Sequence, residues 1–427
     1  MMAAMVVGLT ACGAERQPGV LGYVEGFAGV VAADEPRAVV VARDVLSSGG
    51  SAADAAVAMA FTLTVTLPTS AGLGGGGVCV VQDKDADGDP RVEVLDFLPS
   101  TAAGHPGPEG SVAVPALPRG LFALHARAGA LRWEGLVAPA ESLARFGVPA
   151  SRALAAEVQA LGLGVPVHGV TGPAEGQRLL NLDLARALGQ ARVGPGEYYG
   201  GAVARELMDA AAGQGFAIDP EALRDWRPTW RAPVDVGYRS HTDAFAPVPD
   251  SAATLAERWA ALDDADALPT GPQPLPDLAA GMRTRGATGF VVADSYGGAV
   301  ACALTLNQPF GTGRPLPGFG FALAPTPTPQ SPDIAVMLRF NRNTGVTLGG
   351  VAAAGGGAVD LAVQAGVPVL KDDRSPREAV ADARAGGLGR ALVNLVSCPG
   401  GIPRQPKSCA VAVDPRGAGL GLVVGGS

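Results

Sequence analysis

Basic clusters are absent from this chain, and so are the cysteine and histidine arrangements that hold metals. Its 427 residues carry a net charge of −8, and Lys and Arg nowhere gather into a patch; the balance argues against nucleic acid as a partner. No Cys-x-x-Cys occurs and the four histidines, His105, His125, His168 and His241, are scattered, which argues against a zinc site. Charged residues reach only 17% against 48% hydrophobic, the balance of a folded chain with core enough for one large or two ordinary domains. The 61 Gly and 36 Pro follow no period, so they mark turns and not a fibre.

Lys and Arg are also missing ahead of the apolar run 3–8. The Leu9-Thr10-Ala11-Cys12 sequence that follows has the form of a bacterial lipoprotein cleavage box. It predicts residues 1–12 as a signal, Cys12 as a lipidated first residue, and the bacterial periplasm or cell envelope as the location, with membrane contact only through the lipid. A chance apolar start is the alternative. Cys398 and Cys409 bracket the Pro- and Gly-rich stretch PGGIPRQPKS, where a disulfide would staple a hairpin otherwise held by little. Cys79 and Cys302 lie inside apolar strands and read as buried free thiols.

Along the chain, 29–33 reads as a strand and 36–48 as a helix. Ser51 is then the expected N-cap of a helix over 52–63, with Asp54 in its first turn where the helix dipole favours a carboxylate. This helix is apolar nearly all round, so it should be buried on a sheet. Pro68 ends it, and a strand follows over 78–82. The run Gly72 to Gly77 is no phosphate cradle, because it leads from helix to strand and not from strand to helix; it reads as a place where backbone passes close to backbone. Helical spacing recurs over 120–128, 133–146, 151–161, 180–188 and 202–212. The Pro- and Gly-rich stretch 265–286 reads as a linker.

Phe290 to Ala293, the turn Asp294-Ser295-Tyr296-Gly297-Gly298, and the alternating Ala299 to Leu306 make a hairpin. Entered through Gly286-Ala287-Thr288-Gly289, it resembles the small-subunit start of the γ-glutamyltransferases, N-terminal nucleophile hydrolases in which an internal Thr is exposed by self-cleavage. The stretch GGSAADAAVAMAFTLTVTLPTSAGLGGGGVCVV is similar to their large-subunit signature. GSVAVPALPRGLFALHARAGALRWEGLVAPAESLARFGVP, EYYGGAVARELMDAAAGQG and EALRDWRPTWRAPVDVGYRSH follow in the family's order. The resemblance implies an α+β fold, an αββα sandwich with many helices in its large-subunit-like part. It divides the chain into a large-subunit-like region 13–264, the linker 265–286, and a small-subunit-like region 287–427 that forms one structural unit with the first.

An N-terminal Thr or Ser is a nucleophile because its own α-amine can take the hydroxyl proton, and the developing oxyanion needs fixed N–H donors. By resemblance, Gly355 and Gly356 are the oxyanion glycines, Thr305 supports the nucleophile and Asn307 binds substrate; alternation puts 305 and 307 on one face. No cofactor is implied, and the partner is a small-molecule amide, a γ-glutamyl compound or a relative. The family's nucleophile position, however, falls on Ala287. Thr288 is the nearby candidate nucleophile, but one step along a strand turns it to the opposite face. Two charged anchors of the glutamyl group are also missing: Leu98-Pro99 follow the strand where the family has Arg, and 318–325 lacks the family's acidic pair. Losing such pairings inside a pocket costs a few kcal/mol and is enough to change the substrate. Two functions follow, a self-processed acyltransferase of glutathione-type amides, or a non-cleaving envelope lipoprotein that uses the same fold to bind.

Overall fold

The computed structural model describes residues 24–85, 87–100, 111–248, 252–262, 286–328, 331–385 and 390–425. Cys12 and residues 265–285 of the expected linker lie outside them. Two antiparallel sheets form the centre. The first has seven strands in the order Leu420–Val424, Gly29–Ala33, Ala287–Asp294, Ala299–Thr305, Gly76–Lys84, Pro90–Phe97, Thr229–Arg231. The second has six, Ala410–Val413, Leu392–Ile402, Val346–Ala354, Ile334–Asn341, His241–Phe245, Val234–Tyr238. Each sheet draws strands from both sides of residues 263–285.

Alternation along the strands builds the layers. Val30, Ala32, Val291, Ala293 and Ala301 of the first sheet meet Val336, Leu338, Ala352 and Ala354 of the second in one core between the sheets. The intervening residues Val31, Ala33, Phe290, Val292 and Leu304 face outward, under a helical layer. The second sheet is covered on its own outer face by the helices Ala358–Asp372 and Pro376–Ala385. The order is helix, sheet, sheet, helix, as the family resemblance implies. Small residues let the sheets approach. A Cβ on Gly289 would stand 3.0 Å from the Ala352 carbonyl oxygen, and one on Gly350 would stand 3.2 Å from Val291 Cγ1.

Helix Ala52–Thr66 is buried along its whole length, as its composition predicts. Ser51 accepts from Asp54 N–H while the Asp54 carboxylate accepts from Ser51 N–H, a reciprocal cap. The same carboxylate accepts from Ala130 and Leu131 N–H, so it also fixes the entry to helix Trp133–Phe146. The helix runs three residues past the expected Leu63, to the turn before Pro68. The helix expected at 180–188 starts at Leu182, because Asn181 is its N-cap and accepts from Leu184 N–H.

Disulfides join Cys398 to Cys409, as expected, and also Cys79 to Cys302. The second corrects the reading of free thiols. Cys302 and Cys79 are direct cross-strand partners between Ala299–Thr305 and Gly76–Lys84, with Cα atoms 4.1 Å apart. That register, between strands 223 residues apart in sequence, has no local signal.

Candidate active site

The hairpin's first strand begins at Ala287, and its cross-strand partner is Thr305. Ala287, Val291 and Ala303 share the core between the sheets, while Phe290, Val292 and Leu304 lie on the helix side. Ala287 and Thr305 therefore face the second sheet together, and Thr288 starts from the other face. Thr305 is held rigidly: its hydroxyl donates to the Gly286 carbonyl at 2.9 Å and accepts from Asn307 N–H at 2.9 Å. A hydroxyl at position 287 would stand next to this group. The methyl of Ala287 stands there instead.

Gly355 and Gly356 follow the last residue of strand Val346–Ala354. Val291 faces Gly350 and Gly289 faces Ala352, so the same two-residue progression carries Ala287 to the level of Ala354, just before the glycines. Gly355 has φ 110°, a conformation that excludes side chains. Its N–H is committed to the Asp333 carbonyl at 2.9 Å, and Gly357 N–H to the Asp333 carboxylate at 3.0 Å. Gly356 accepts through its carbonyl from Arg390 and Ala391 N–H. Among the described residues its own N–H has no such partner, so of the pair Gly356 is the donor open to an oxyanion.

Thr288 is 1% exposed, and its hydroxyl donates to the Asp34 carboxylate at 2.8 Å. Asp34 follows the last residue of strand Gly29–Ala33, so its carboxylate takes over where that strand's ladder to Ala287–Asp294 stops. It accepts from Gly289 N–H at 3.2 Å and from Asn394 Nδ2 of the second sheet at 2.7 Å. Asn394 also donates to the Gly289 carbonyl at 2.9 Å. Sequence reasoning missed Asp34 and Asn394. A carboxylate at the end of an apolar strand and an amide inside one were the available signals.

Asn307 does not continue the strand's alternation. It has φ 63°, and its amide donates to the carbonyls of Pro99 and Pro325, at 3.0 and 2.8 Å. It thus holds together the two segments in which the charged anchors were missed. In the second of these, Phe319 and Phe321 are buried and pack edge to face with centroids 5.8 Å apart. The glycine run lies beside them. A Cβ on Gly74 would strike the Ala322 carbonyl, and one on Gly75 the Thr305 carbonyl, which is the close backbone approach expected of it. Among the described residues, no group of three His, Cys, Asp or Glu side chains could hold a metal ion.

Comparison with known proteins bears on the family and the fold. The gamma-glutamyltranspeptidase family model matches residues 38–270, more than half of the chain. The glutathione hydrolase proenzyme of Pseudomonas aeruginosa is 27% identical over 300 aligned residues, covering 55% of this chain and 52% of that protein. The chain thus spans about half the length of the curated relative it matches. Cephalosporin acylase from Bacillus halodurans shares the fold, with a TM-score of 0.68 and 18% identity over 98% of this chain and 99% of that one. The chain is an αββα sandwich of the N-terminal nucleophile hydrolase type and belongs to the gamma-glutamyltranspeptidase family.

Proposed function

We propose that the region around Ala287, Thr305, Asn307 and Gly356 is a site for a small-molecule amide, of the γ-glutamyl type or a relative, in an uncut chain that binds without turning its ligand over. One observation carries this reading: the methyl of Ala287 lies beside the oriented Thr305 hydroxyl at the level of Gly355 and Gly356, where acyl transfer in this family would need a hydroxyl. The chemistry of the family would cut the bond after Gly286, free an α-amine on residue 287, and let that amine take the proton as the hydroxyl attacks. Ala287 has no hydroxyl to attack with. The two disulfides agree with an oxidising compartment, and lipidation at Cys12 would anchor the protein in the bacterial envelope. Among the described residues, no helix is long and apolar enough to cross a membrane.

A second reading is favoured by one contact, the 2.8 Å hydrogen bond from Thr288 to Asp34. There Asp34 would accept the Thr288 proton as the hydroxyl attacks the Ala287 carbonyl. The Ala287–Thr288 C–N bond would break as its nitrogen takes up that proton, water would hydrolyse the resulting ester to leave a carboxylate on Ala287, and an acyltransferase would form with Thr288 as its N-terminal nucleophile. A reducing, denaturing gel with N-terminal sequencing separates the two. The first reading expects a lasting single chain, no hydrolysis of a γ-glutamyl anilide, and conversion to two fragments by Ala287→Thr. Fragments of the unaltered chain that begin at Thr288 would establish the second reading, and an uncut Ala287→Thr variant would remove the first.

A further inference from the structure

Leu306, one residue beyond Thr305, projects to the helix side of the first sheet, and its Cδ2 would be 3.3 Å from a Cβ on Gly72. On that side a cavity of about 480 Å³ opens between Leu306, Phe310, Leu316 and Phe321 on one wall and Val167 and Leu182 on the other. This volume suits a small organic molecule. Two lining residues hold left-handed backbone without being glycine, His168 at φ 48° and Phe310 at φ 61°, a strain that gathers at ligand clamps. Leu180 and Leu182 stand at the mouth, 47% and 60% exposed, in a place where water gains nothing from them.

The polar groups in the wall are already satisfied. Thr64 donates to the Phe61 carbonyl at 2.7 Å. Asn181 accepts from Leu184 N–H and donates to the Gly320 carbonyl and to His168 Nδ1, the last at 3.0 Å. His168 Nδ1 is therefore an acceptor, and Nε2 carries the proton to the Val65 carbonyl at 2.7 Å, which makes the ring neutral. No Lys or Arg lines the cavity among the described residues, and Asp183 is its one carboxylate, exposed at the rim.

We propose that this cavity is a second small-molecule site, separate from the one around Ala287, that takes an uncharged, mainly apolar organic molecule. A charged ligand would lose its hydration there and find no counter-charge inside. The proposal does not depend on whether the chain is cut. Titration of the full chain with the neutral fluorophore N-phenyl-1-naphthylamine tests it, with Ala322→Phe to fill the cavity and Leu182→Lys to charge its exposed mouth. Saturable one-to-one binding is expected, weakened by about tenfold or more in the variants and displaced by neutral anilides but not by glutathione. Absence of saturable binding, unchanged affinity in Leu182→Lys, or displacement by glutathione at equal concentration would overturn it. Leu182→Lys decides the matter if Ala322→Phe fails to fold.

Discussion

At the scale of single residues, Thr288 is the position where the two functional readings meet. Its hydroxyl sits against a buried carboxylate that also serves Gly289 and Asn394, so under the proposed function it stabilises the junction of the two sheets. Thr288→Val keeps the shape and removes the donor. It should lower stability by about 1–3 kcal/mol, the range for a buried hydrogen bond to a charged group, while the chain stays uncut before and after; chemical denaturation and a reducing gel together check this. His168 gives a pH dependence. Burial pushes its pKa below the ordinary 6.5, more than its bond to Val65 raises it. Because the folded value lies below the unfolded one, its contribution is whole above about pH 6.5 and is lost as pH falls through that value toward the folded pKa. Unfolding free energies measured between about pH 7 and about pH 5 should fall more steeply for the native chain than for His168→Gln. Parallel curves would mean that the fold leaves the His168 pKa unshifted.

At the scale of elements, the second sheet is tied to its helical layer by a buried ion pair that composition does not announce. Arg339, 2% exposed, places two nitrogens on the Asp243 carboxylate at 2.6 Å each, and its remaining nitrogen bonds the Leu370 carbonyl near the end of helix Ala358–Asp372. Trp259 Nε1 donates to the same carboxylate at 2.7 Å. Arg339→Met would leave Asp243 buried without its cation and should cost about 3–5 kcal/mol, read from the denaturant midpoint; the double change with Asp243→Leu should recover much of the loss. What was legible here was local. Ser51 with Asp54 announced a capped helix, and alternation set Thr288 on the face opposite Ala287. Asp34 and Asn394 were not legible as a pair, because they are 360 residues apart and meet only once the sheets stack. Asn307 broke the alternation because its left-handed backbone turns it out of the strand.

At the scale of the whole molecule, the family's order of segments could be read along the chain, but the bond between Cys79 and Cys302 could not, since it depends on which distant strands become neighbours. That bond ties a strand before residues 263–285 to one after them, at the centre of the first sheet. Any scission in the span between, whether by the chain itself or by a protease, would leave a single covalent molecule. Under oxidising electrophoresis a nicked protein and an intact one would have the same mass to within a water, and the two halves could part only after reduction. In an oxidising compartment, cutting this backbone would therefore create a new chain end without creating a free subunit.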